Sequence, residues 1–193
     1  MSKRAVLRDP PLSAAWRQAL ASIRVRFWRH ALTGLGIALG TAFFASALAL
    51  RAAERAEGAL SPADESRLLW LAATSLLMCL VGVTNSMLLS VTERIREIGT
   101  IKCIGASDTF IVKVFFLEAL LLGSLGSALG SAAGALVMGA SVWLMGYSSP
   151  FAALGAVLLL SAATGLGLTV ASAIAPAIQA ARMPAVAALR TEV

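Results

Sequence analysis

The sequence predicts an all-α integral membrane protein with four transmembrane helices, an N-terminal amphipathic interfacial helix and a short cytoplasmic coupling helix between the second and third spans. Three observations predict it. Hydrophobic residues make up 59% of the 193 residues and charged residues only 13%, more apolar surface than a soluble domain can enclose. The apolar residues gather in long runs, each able to cross a ~30 Å hydrocarbon core at ~1.5 Å per residue. The 16 Lys and Arg are distributed unevenly around those runs. Residues 1–30 hold seven, 92–113 four and 176–193 two, whereas 51–67 hold three against four acids and 146–150 none. Positive charge marks the inner side, so both termini and residues 92–113 belong in the cytoplasm; richness in Ala, Arg and Gly hints at a bacterium, and so a bacterial cytoplasmic (inner) membrane is expected.

Residues 1–12 are basic and irregular, with Lys3, Arg4, Arg8, Pro10 and Pro11. Within 13–30, Trp16, Leu20, Ile23 and Phe27 fall on one narrow helical face with arginines on both flanks, as in a helix lying among inner headgroups. A soluble helix packing on a partner is the alternative. His30 has no acid or Cys near it in sequence and is expected at the interface. The first span is about 32–50, where Gly36 and Gly40 permit close helix approach. Residues 51–67 form an outer hairpin turning near Gly58–Ser61, with Ser61-Pro62-Ala63-Asp64 as a helix start. The second span, about 68–91, carries Thr84, Asn85 and Ser86 near its inner end.

Residues 92–107 form a compact charged insert. Ser90 and Thr92 are possible N-caps, Ser90 having Glu93 three residues on as in a capping box. Gly105 suits the left-handed position that closes a helix, and Ser107-Asp108 opens the next one. The third span, about 108–145, places Lys113 near the inner surface and Glu118 about a turn deeper. A carboxylate there is costly unless paired or wetted. Lys113, Arg94 and Arg96 are its candidate partners, and its role is either interfacial or that of a lock between the charged insert and the span. The same helix repeats Gly123, Ser127, Ser131, Ala135 and Gly139 every four residues, beside a second row of Gly126, Gly130 and Gly134. Such rows let another helix of the same subunit, or of a dimer mate, come close. A charge-free turn precedes the last span, about 151–175, which Pro176 is expected to end or kink. Residues 176–193 form a cytoplasmic tail.

The pattern Glu93-Arg94-x-x-Glu97-Ile98-Gly99-x-x-Lys102-x-Ile104-Gly105-Ala106-Ser107 resembles the coupling segment of FtsX-like and MacB-type ABC permeases, a group that includes the lipoprotein-release permeases. The resemblance continues through Phe116-Leu117-Glu118-Ala119-Leu120-Leu121-Leu122-Gly123. It returns at Ala180-Ala181-Arg182-Met183-Pro184-x-x-x-Ala188-Leu189-Arg190, where the proline comes one position early and Ala187 replaces a frequent acid. The resemblance implies one permease domain over 1–193, acting as the membrane subunit of an ABC transporter. It implies ATPase coupling through Glu93, Arg94, Arg96, Glu97, Ile98, Gly99, Lys102 and Gly105, and a structural or coupling role for Glu118. The implied partners are a dimer of ABC ATPase subunits and a second permease subunit (identical or a longer relative); in place of the large outer domain of many relatives, either a separate extracytoplasmic protein serves or the hairpin at 51–67 acts directly on a lipid-like substrate. Residues 51–67 are too short for such a domain.

Several functions are disfavoured by what the sequence lacks. It has no G-x-x-x-x-G-K-[ST], so ATP and Mg are expected on the ATPase and no catalytic role here. One histidine and two distant cysteines give no metal-ligand spacing. The basic residues line no aromatic groove, so nucleic acid is not an expected partner. The remaining alternative is a four-span scaffold without an ATPase; a channel or carrier is disfavoured by the scarcity of polar groups within the spans.

Overall fold

The computed structural model describes residues 12–58, 60–144 and 151–183. These form α1 (Leu12–Val25), α2 (Phe27–Ala56), α3 (Pro62–Glu93), α4 (Ile95–Cys103), α5 (Asp108–Leu144) and α6 (Phe151–Arg182), with no strand among them. The helices α2, α3 and α5 and the stretch Leu154–Arg182 of α6 are each long and apolar enough to cross a membrane. α5 lies at the centre against both α2 and α6, and α3 packs on the same two neighbours. The short α1 and α4 gather at one end of this bundle, α1 against α5.

The small-residue rows explain why α5 is central. Each row serves a different neighbour. A Cβ on Gly126 would come within 2.9 Å of Ile37, and those on Gly130 and Gly134 would overlap the α2 backbone at Ala38 and Ala42. On the other row, a Cβ on Gly123 would stand 3.0 Å from Thr169 and one on Gly139 3.1 Å from Leu154, both in α6. Ser127 meets Gly165 of α6, while Ser127, Ser131 and Ala135 are all buried. Lipid tails are as apolar as leucine, so dispersion at short backbone separation is what holds such helices together. The hydroxyls in these contacts are satisfied locally: Thr41 donates to the carbonyl of Ile37 at 2.8 Å and Thr169 to that of Gly165 at 2.8 Å.

Helix boundaries agree with the sequence at the hairpin between α2 and α3. Ser61 caps α3, accepting from the Asp64 N–H at 3.2 Å, with Pro62 in the first turn. Gly58 takes the left-handed conformation (φ 67°) in the turn before it. At the other end Gly105 (φ 104°) closes α4, and Ser107 accepts from the Phe110 N–H at 3.2 Å to open α5.

Three boundaries differ. The amphipathic segment is not one helix over 13–30. It bends at Arg26 (φ −117°, ψ 39°), and α2 starts at Phe27. α1 docks through Ala15 and Ala19, with Ala15 packed among Phe110 and Val114 of α5, leaving Trp16 and Leu20 exposed on the other side. The small residues dock because they allow close approach to α5, and the bulky ones are left for an apolar surrounding. The capping box at Ser90 is absent because α3 runs unbroken to Glu93; Thr92 bonds back to the Leu89 carbonyl, and the Ser90 hydroxyl is buried without a partner. Pro176 does not end the last helix, which continues to Arg182. Proline removes one backbone donor, but Ala177, Ala180 and Ala181 beyond it are buried and hold the final turns to the bundle. The sequence departures at Pro184 and Ala187 lie outside the described residues.

Candidate functional site: a charged helix bolted to the central span

Arg94 is the joint between α3 and α4 (φ −108°, ψ 7°), and no side chain caps the start of α4. Its side chain turns inward. Arg94 Nη1 donates to Glu118 Oε2 at 3.0 Å, with the two side chains 7% and 0% exposed, and the guanidinium lies 5.9 Å from the centre of the Phe115 ring. Ser22 Oγ of α1 donates to the other oxygen, Glu118 Oε1, at 3.4 Å. His30 of α2 is buried beside them with Nε2 3.1 Å from Oε1, out of line for a hydrogen bond. One carboxylate on α5 therefore gathers α1, α2 and the α3–α4 joint. Two charges removed from water carry a large desolvation cost that only close pairing offsets, so separating this pair is expensive and the joint is held.

A more exposed ring of charges surrounds this core. Arg26, at the α1–α2 bend, donates to Glu93 at 2.6 Å and to Glu97 at 3.2 Å, and Arg29 also pairs with Glu93. Pairs of this exposure contribute up to about 1 kcal/mol each, so they orient the bend more than they stabilise it. At the far end of α4, Lys102 Nζ donates to the carbonyls of Ala181 and Met183 and pairs with Asp108 at 2.8 Å. A cation on the last carbonyls of α6 completes that helix terminus. Ile98 packs with Val91, Ile111, Phe115, Ala177 and Ala180, and Gly99 is buried alongside.

Of the residues read from the sequence as a coupling patch, Arg94, Ile98, Gly99 and Lys102 thus face the bundle. The charges of Arg94 and Lys102 are each taken up by partners within the chain. Among the candidate partners of Glu118, the structure places Arg94 against it. His30 is buried within the protein, because the α2 start carries it under the bend to Glu118. Arg96, Glu97, Thr100, Cys103 and Ile104 form the exposed side of α4, and Ile104 is 84% exposed at its tip. Sequence reasoning missed Ser22, Arg26, Arg29 and His30 as parts of the site. Their partners are 64 to 96 positions away in the chain, and no local pattern announces such pairings.

The FtsX-like permease C-terminal family matches residues 70–185, which hold α4, Arg94 and Glu118. The chain belongs to the FtsX-like permease family. Its similarity to curated proteins covers 63% of its length. It is 41% identical over 121 residues to the macrolide export ATP-binding/permease protein MacB of Hyphomonas neptunium. It is 40% identical over 122 residues to the pyoverdine export ATP-binding/permease protein PvdT of Pseudomonas putida, and 40% over 129 residues to the uncharacterized ABC transporter permease YvrN of Bacillus subtilis. The matched stretch is 18% of the length of each of the two exporters and 29% of YvrN. In this FtsX-like permease α4 is held internally on one side and exposed on the other.

Proposed function

We propose that the chain couples ATP binding and hydrolysis, performed by a separate ATPase, to movement at the outer face of the membrane. The observation that carries this is the two-sided α4. Its exposed side, with Arg96, Thr100 and the apolar tip Ile104, suits a groove on a soluble partner. Its inner side is fixed to α5 through Arg94 and Glu118. A push on α4 is then delivered to the α3–α4 joint and to the central span rather than absorbed by a loose loop. α3 and α5 are single long helices and carry displacement to the outer face. In this reading α4 and the termini are cytoplasmic, two permease subunits sit on two ATPases, and the outer work is mechanotransmission or export of a lipid-like or hydrophobic substrate.

The docking test must avoid Glu93, Arg94 and Glu97, since these also hold the bend together. Ile104→Asp and Arg96→Glu change only the exposed side. An apolar anchor at an interface centre contributes about 2 kcal/mol or more. Recovery of the ATPase with affinity-purified permease is therefore expected to fall at least ~10-fold in Ile104→Asp, with helicity in detergent unchanged. Undiminished recovery of the ATPase with both variants would remove the docking assignment.

A further inference from the structure

Of the four apolar spans, α3 is the least covered: 17% of its apolar stretch is buried within the chain, against 50% for that of α5. Its exposed residues include one ordered row. Leu71, Ser75, Met78, Gly82, Asn85 and Leu89 follow one another at spacings of four, three, four, three and four, and all but the half-buried Ser75 are exposed. A mean spacing of 3.5 residues is that of a seam along which two helices pack with a small left-handed crossing. The row carries no charge, but it does carry an amide. Asn85 makes no hydrogen bond within the chain among the described residues, whereas its neighbour Ser86 is bonded to Thr33 of α2. Asn85 stands about 12 Å along the helix from Glu93, deep enough that water does not serve its amide. A polar side chain there is costly until another helix supplies its partners. Beside the row, between α3 and α2, runs a groove of about 480 Å³ bordered by Met78, Gly82, Asn85 and Leu89. A Cβ on Gly82 would meet nothing within 4 Å. The one charged residue lining the groove, Arg29, is paired with Glu93, so the surface offered to a neighbour is small, apolar and free of unpaired charge.

We propose that this row of α3 is the contact between two copies of the chain, with their Asn85 amides hydrogen-bonded to each other. Copies inserted in the same direction are related by a two-fold axis along the membrane normal, so the two α3 helices run parallel and a residue on the axis faces itself. Like charges meeting in this way repel. An amide gains, because it both donates and accepts, and two of them close a pair of N–H···O bonds. One asparagine on an otherwise apolar seam also fixes its register and the number of helices in it. An acyl chain would fill the groove but leave the amide unpaired; a second copy satisfies both. Met78 and Leu89 of each copy then enter the groove of the other beside Gly82. This contact deepens the two-permease arrangement proposed above and rests on that part of it alone.

The test uses the full chain without any ATPase, so its outcome is separate from that of ATPase docking. Cys79 is buried and Cys103 exposed. In a Cys103→Ser background, Met78→Cys, Gly82→Cys and Leu89→Cys are oxidised with copper phenanthroline in vesicles of phosphatidylethanolamine and phosphatidylglycerol. Disulfide-linked dimers are expected from all three. None is expected from Leu77→Cys or Leu88→Cys, which lie at the same depths on the neighbouring exposed row. With native Cys103 carrying donor or acceptor dyes, energy transfer in micelles measures self-association. Asn85→Leu, at an exposed position and so harmless to the fold, should lower the association constant ~3–30-fold. Asn85→Gln keeps the amide and should retain most of it. Cross-linking that is equal on the two rows or absent from the seam overturns the proposal, as does an association constant unchanged in Asn85→Leu. A chain that stays monomeric throughout the titration also overturns it, in favour of lipid in the groove.

Discussion

Replacing Arg94 by methionine should damage stability and coupling separately, and the structure indicates by how much. The pair it forms with Glu118 has an N–O distance of 3.0 Å and side-chain exposures of 7% and 0%. Removing one member of such a pair leaves the other buried without compensation, a loss of about 3–5 kcal/mol. Glu118 would keep the Ser22 hydroxyl at 3.4 Å, so the low end, ~3 kcal/mol, is expected. Glu118→Met alone should cost a similar amount by stranding Arg94. The double variant removes both charges and should recover to within ~1 kcal/mol of the parent, since apolar replacements of buried pairs are often neutral. Stability would be followed by far-UV circular dichroism during denaturation in micelles, read as a double-mutant cycle. In the reconstituted transporter the double variant should fold and bind the ATPase, yet transmit its cycle poorly, because the bolt between α4 and α5 is gone. Additive losses in the double variant would refute the pairing. Full coupling in a folded double variant would refute its mechanical role.

Three further outcomes follow from the same geometry. Gly130→Ala should destabilise by about 1–3 kcal/mol through overpacking against Thr41 and Ala38, whereas Gly36→Ala, whose Cβ meets nothing within 4 Å, should be neutral or stabilise by up to ~1 kcal/mol; equal effects in the same denaturation assay would contradict the packing. Lys102→Met should cost about 1–2 kcal/mol and speed hydrogen exchange in the last turn of α6, which unchanged protection at 178–183 would disprove. Arg26→Ala should cost less than ~2 kcal/mol because its two partners are exposed, and a loss as large as that of Arg94→Met would mean that the outer ring, not the buried pair, holds the joint.

The sequence by itself determined the class, the spans and the family. Apolar runs of membrane length, the placement of Lys and Arg, and the ordered pattern from Glu93 to Ser107 are all local or compositional, and so can be read along the chain. Gly105, Ser61 and Ser107 were legible for the same reason, since a cap acts within a few residues of itself. Glu118 stood out because a carboxylate in an apolar run demands a partner, but three cations were plausible and only the packing chose Arg94. The tertiary structure also decided which side of α4 is free. Helical spacing shows which residues share a face, not which face another helix covers, and α5, α6 and the Arg26 bend cover the side that holds Arg94, Ile98 and Lys102. The two small-residue rows looked like one packing surface in sequence. They divide between α2 and α6 because α5 lies at the centre of the bundle, a position set by the joint packing of several helices and by nothing within α5 itself.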